Sequence, residues 1–189
     1  MPRYMIYLKN SNYLPKDAST LLGKARGLFS DTQITIRDTR VSRDHIEFDT
    51  NAEGNSVVDD ITNKLSLISP LSEYEQIVEK HMSKEEAFKT ARSLFNQEKY
   101  WATHEVLESV WKNLKGDERD LVNGIILIAA AFVHAQKDES EICISILKRA
   151  IRKLSKSDDF RVYYGIDICK LKHLVTKIIE THRLERILI

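Results

Sequence analysis

The chain has 189 residues, 42% of them hydrophobic and 30% charged, which is room for two small domains with cores and argues against a membrane-embedded protein. Lysine plus arginine number 29 against 28 acidic residues, a formal charge of +1, so no global field gathers nucleic acid or an anionic membrane. The start, "MPRYMIYLKN", lacks the basic-plus-apolar pattern of a secretory leader. No apolar run reaches the roughly 18–20 residues of a membrane span, so the expected compartment is the cytosol.

In chain order, "RYMIYL" alternates as a strand, and "KDASTLLGKARGLF" has helical spacing with Asp17 as its candidate N-cap. "TQITIRD" and "RDHIEFDT" alternate apolar with polar, as half-buried strands do. "NSVVDDITNKLSLI" returns to helical spacing from Asn55 or Ser56, and "LSLISPL" is expected to close the unit as a strand ended by Pro70. The order β-α-β-β-α-β is that of a split βαβ, ferredoxin-like sandwich, assigned to residues 1–75. The polar stretch "SEYEQIVEKHMS" reads as a short helix or linker, with the boundary segment at 76–83.

Ser83 followed by Glu86 is a capping-box pattern that opens an all-α domain over 84–189. Helices are expected near 84–97, 100–114, 118–136, 139–155 and 166–183, with Asp167 as the N-cap of the last. Paired helical hairpins of this size stack into a five-helix bundle or a short solenoid, making the whole chain α+β. Gly124 is tolerable in its helix if another helix crosses there. The apolar "RLERILI" is expected to pack, a strand added to the N-terminal sheet being one solution. Cys143 and Cys169 lie in apolar helical patterns without a CxxC neighbour and read as buried free thiols.

The chemistry concentrates in "WATHEVLESVWKNL". At about 100° per residue, His104, Glu108 and Trp111 share one stripe with Leu107, and Glu105 lies on the flank. A buried carboxylate needs a proton, a cation or several donors, so this stripe requires partners. Three explanations stay open: a structural His104–Glu108 pair covered by Trp111; a metal site; or metal-free acid–base work with His104 as base. The metal site would use His104 and Glu108 at i, i+4, with His134 of "AAAFVHAQ" as third ligand. Asn123 lies three turns from His134 and suits a supporting role. Tyr100 packs at the turn, and Tyr163 with Asp167 closes the bundle's end.

"FNQEKYWATHEVLESVWK", "LVNGIILIAAAFVHAQ" and "YYGIDICKLKHLV" resemble the domain of unknown function 309 family over about residues 86–180. Its signature HxxxExxW followed by a histidine is matched by His104, Glu108, Trp111 and His134. The resemblance implies an all-helical domain with a suggested divalent-metal site and hydrolase chemistry, and it fixes no reaction. In the enzymatic reading Glu105 or a water carries the proton.

Two non-enzymatic readings compete. "LFNQEKYWATHEVLE" also looks like part of a tetratricopeptide-type hairpin, which would make the chain a module for a protein partner or a second copy. An RNA-binding reading would use Lys148, Arg149, Arg152, Lys153 and Lys156 with outward Tyr7 and Phe48; the balanced charge disfavours it.

Overall fold

The structure is a computed structural model that describes residues 1–30, 32–52, 57–78, 81–156 and 160–189. The chain divides into two compact units, Met1–Glu79 with Gln136–Asp138, and Lys80–Ala135 with Glu139–Ile189.

In the first unit, β1 (Arg3–Lys9), α1 (Ala18–Leu28), β2 (Thr35–Val41), β3 (His45–Asn51), α2 (Val57–Leu65) and β4 (Leu71–Ile77) follow in sequence. The sheet order is β2-β3-β1-β4, and every neighbouring pair is antiparallel. This is the split βαβ arrangement, in which each helix links strands separated by a third. Period-2 alternation sends Tyr4, Ile6 and Leu8 of β1, with Ile46 and Phe48 of β3, into one cluster with Leu21, Ala25, Ile61 and Leu65.

The opposite side of the sheet is charged and buried. Arg40 contacts Glu47 across β2 and β3, both at 2% exposure or less, and also reaches Asp38 at 3.0 Å. Arg3 holds Asp49 at 2.6 Å, and the Tyr7 hydroxyl donates to Glu75 at 3.1 Å. Burial pushes the Glu47 carboxyl above its ordinary value, against the pull of the Arg40 guanidinium. Tyr7 and Phe48, which the RNA-binding reading would need facing outward, are 1% and 0% exposed.

Three local expectations change. Asp17 offers no cap to α1; its carboxylate accepts from the Leu14 N–H at 2.8 Å inside a 3₁₀ turn over Pro15–Asp17. The last strand lies after Pro70, not before it, so "LSEYEQI" is an edge strand with five exposed central residues. The proline lacks a donor, but its carbonyl accepts from the Lys9 N–H at 2.8 Å, and the β1–β4 register runs from Leu71 onward. Asn55 and Ser56, the expected start of α2, lie outside the described residues.

The second unit holds α3 (Lys84–Asn96), α4 (Tyr100–Trp111), α5 (Gly116–Ala135), α6 (Ser140–Leu154) and α7 (Ile168–Thr181). The capping box forms as expected: the Ser83 hydroxyl accepts from the Glu86 N–H, and the Glu86 carboxylate accepts from the Ser83 N–H. Asp167 caps α7, accepting from the Lys170 N–H at 2.8 Å. Gly124 sits where α6 crosses α5, and a Cβ there would lie 2.6 Å from Leu154 Cδ2. A two-stranded hairpin, β5 (Val162–Tyr163) with β6 (Ile166–Asp167), turns through Tyr164 and Gly165 at φ 45° and 77°. Positive φ at both central residues marks a type I′ turn, which the expected loop left unspecified.

Cys143 is buried, and its thiol is pushed up to about 12 by desolvation. Cys169, by contrast, is exposed. The buried line of α7 runs through Ile168, Leu171, Val175 and Ile178, and residue 169 falls outside that stripe. The segment "RLERILI" joins no strand of the sheet; it packs on the helical unit through Ile187. Among the described residues, no helix is long and apolar enough to cross a membrane.

Candidate functional site

Helix α4 buries Tyr100, Thr103, Leu107 and Val110, the i, i+3, i+4 line of an amphipathic helix between α3 and α5. His104 lies about 60° round from Leu107. It therefore falls at the rim of the buried stripe, where its side chain is 27% exposed. Glu108 and Glu105 are 39% and 43% exposed. The expected inward-facing pair is thus a half-open one, because α4 has helices on only part of its circumference. Water on the open side relieves the carboxylates of the desolvation a core position would impose.

The three side chains do converge. The ring of His104 lies between two acids, with Nδ1 3.4 Å from Glu105 Oε1 and Nε2 3.7 Å from Glu108 Oε1. Both spacings exceed the roughly 2.7–3.2 Å of a hydrogen bond. One ligand atom from each residue lies within 4.8 Å of the others. Two ligands of a tetrahedral ion, each about 2.1 Å from it, sit about 3.4 Å apart, so the spacing and the donor set of one imidazole and two carboxylates fit a divalent cation. Glu105, read from sequence as a proton carrier on the flank, is a member of the cluster.

The other expected site residues go elsewhere. His134, near the end of α5, turns its Nδ1 to Glu139 Oε2 and is absent from the cluster. Trp111 turns to Arg119: its Nε1 donates to the Arg119 carbonyl at 3.1 Å, and the Arg119 guanidinium lies 4.5 Å over the ring. These contacts fasten the α4–α5 turn. Tyr100 is a core residue, stacked on Phe132 at 4.9 Å and edge-on to Phe95. Asn123 is half-buried on α5. Tyr163 donates to Glu118 Oε1 at 2.6 Å, which also accepts from Lys84 at 2.7 Å. Those two donors hold the Glu118 carboxyl below its ordinary value, while burial raises the Tyr163 phenol. Sequence reading missed Glu139 and Glu118 as partners. Glu139 could have been found from its position five residues after His134, across a short turn.

Residues 88–146 match the family model of a domain of unknown function, DUF309. The DUF309 match runs from Phe88 in α3 through α4 and α5 to Ile146 in α6, so it contains the whole His104 cluster. No curated protein and no solved structure matches the chain. The DUF309 description assigns no reaction, and the weight of any functional reading falls on the cluster itself.

Proposed function

We propose that His104, Glu105 and Glu108 form a divalent-metal site open to solvent, with metal-assisted hydrolysis as its reaction class. The single supporting observation is the convergence of three ligand atoms within 4.8 Å on little more than one turn of α4. An i, i+4 histidine and glutamate face one ion, and the residue next to the histidine reaches its other ring nitrogen. Glu108 and His104 Nε2 share the ion in this reading. Glu105, whose Oε1 lies 3.4 Å from Nδ1, favours the Nδ1–H tautomer by its charge and so leaves Nε2 free to ligate. A divalent ion bound there supplies Lewis acidity to a substrate oxygen, and the half-open position leaves room for that substrate.

The test is elemental analysis of the full chain, stripped with chelator and then equilibrated separately with zinc and with manganese. The wild-type chain should retain about one ion per chain, and His104→Ala and Glu108→Gln should lose it. Glu105→Gln should retain the ion with affinity lowered about 10–100-fold. Equal, near-zero retention by the wild type and by His104→Ala would leave the cluster a surface ion pair and end the proposal.

A further inference from the structure

Cations gather just past the His104 cluster, and the acids that would ordinarily answer them are engaged elsewhere. Glu108 and Lys112 stand at i, i+4, the usual spacing of a helix ion pair. Yet Lys112 is exposed and makes no ion pair among the described residues, while Glu108 lies by His104 Nε2 instead. Lys115 and Arg119, both exposed, likewise make no ion pair among the described residues. The acids that open α5 have other partners. Glu118 accepts from Lys84 and Tyr163, Asp120 accepts from Lys153 at 2.7 Å, and Asp117 has a contact of its own.

Trp111 gives one of these cations a fixed place. Its Nε1 donates to the Arg119 carbonyl at 3.1 Å, and the Arg119 guanidinium lies 4.5 Å over its ring. The first contact pins the main chain of residue 119 and the second its side chain, both on one indole. Trp111 follows Glu108 by three residues, about 4.5 Å along the helix axis. A helical aromatic leans back over the turn before its own Cα, which here is the turn that bears Glu108. Trp111 and His104 also lie only about 20° apart around α4, on the same flank. A guanidinium stacked on a ring keeps its N–H edge free to meet an oxyanion by two parallel bonds.

We propose that this cationic flank is the substrate side of the His104 site and that the substrate is a phosphate monoester. The inference rests on the metal reading above and adds the chemistry of what is bound. Arg119 takes two phosphoryl oxygens, and Lys112 and Lys115 supply further positive charge. Trp111 touches no substrate; it is a positioning residue that acts through Arg119. A monoester carries up to two negative charges on its phosphoryl oxygens, which three unpaired cations match better than they match a carboxylate with one. In the hydrolysis the water oxygen bonds to phosphorus and the bond from phosphorus to the ester oxygen breaks. The proton released by the water ends on the departing alcohol, and inorganic phosphate is the other product.

The experiment loads the full chain with manganese, removes the free ion and titrates in inorganic phosphate, whose phosphorus magnetic-resonance line is broadened by manganese nearby. The wild type should broaden the line saturably. Arg119→Ala, at an exposed residue, should keep its manganese by elemental analysis and bind phosphate about tenfold more weakly or worse. Trp111→Leu should weaken phosphate to the same degree and Trp111→Phe by less. Trp111→Leu combined with Arg119→Ala should lose no more than either alone, because the two act as one unit. Acetate at equal concentration should leave the phosphate signal unchanged. Manganese retained, with phosphate bound equally by the wild type and Arg119→Ala or by neither, overturns this inference and leaves the metal site standing. Additive losses in the double variant overturn the role of Trp111, and displacement by acetate overturns the assignment to phosphate. A wild-type chain that holds no manganese ends the metal reading and this one with it.

Discussion

Arg40 and Glu47 oppose each other in the β2–β3 register, both buried, and Asp38 and the Met5 sulfur also contact the guanidinium. Removing one member of such a pair strands the other in low dielectric, whereas replacing both with apolar groups removes the desolvation cost as well. Arg40→Met should therefore cost about 3–5 kcal/mol in urea unfolding, and the double replacement Arg40→Met, Glu47→Leu should recover most of it. The register makes this pair legible after the fact: acids and bases alternate along "RDTRVSRDHIEFDT" at the positions facing away from the apolar set. Sequence reading assigned those positions to solvent because charge is normally solvated. His104 carries the converse lesson. Its period placed it with Leu107, but the helix has a rim, and only the neighbours of α4 decide how far round that rim is covered.

At the scale of elements, α5 and α6 show how packing overrides propensity. Gly124 is a poor helix former, and alanine would gain up to about 1 kcal/mol of helix propensity. A methyl there would meet Leu154 Cδ2 and Cγ at 2.6 and 2.7 Å and the Ala150 carbonyl at 3.3 Å. Overpacking of this kind costs about 1–3 kcal/mol. Gly124→Ala should thus lower stability by about 1–2 kcal/mol and reduce the melting temperature, despite the better propensity. The helices were legible to within a few residues because each has a buried stripe at 3.6-residue spacing and several have readable ends, Ser83 and Asp167 among them. Strand β4 was not. Its five central residues are exposed, so no alternation between inside and outside marks them, and they become a strand only by hydrogen bonding to β1.

For the whole molecule, the described residues form two separate apolar clusters, one around Ile6 and Phe48, the other around Leu107, Ile125 and Leu147. Residues that share no partners contribute independently to stability. Phe48→Ala should cost about 3–5 kcal/mol and Leu147→Ala about 2–5 kcal/mol. The double variant should lose their sum to within about 0.5 kcal/mol, read by denaturant titration with circular dichroism. A shortfall well beyond that would mean that the two clusters act as one core.

Periodicity alone determined which stretches are helices and where the first three strands lie, because burial patterns are written into consecutive residues, whereas it set the fourth strand before Pro70 and left the β5–β6 hairpin unmarked. It also placed His104, Glu105 and Glu108 on little more than one turn of one helix. Tertiary structure decided the rest: that His134 answers to Glu139, that Trp111 fastens a turn, that Cys169 is exposed, and that residues 186–189 rest on Asn96 and Glu98. Each of those outcomes depends on a partner distant in sequence or on which flank of a helix is left uncovered, and neither is encoded in local spacing.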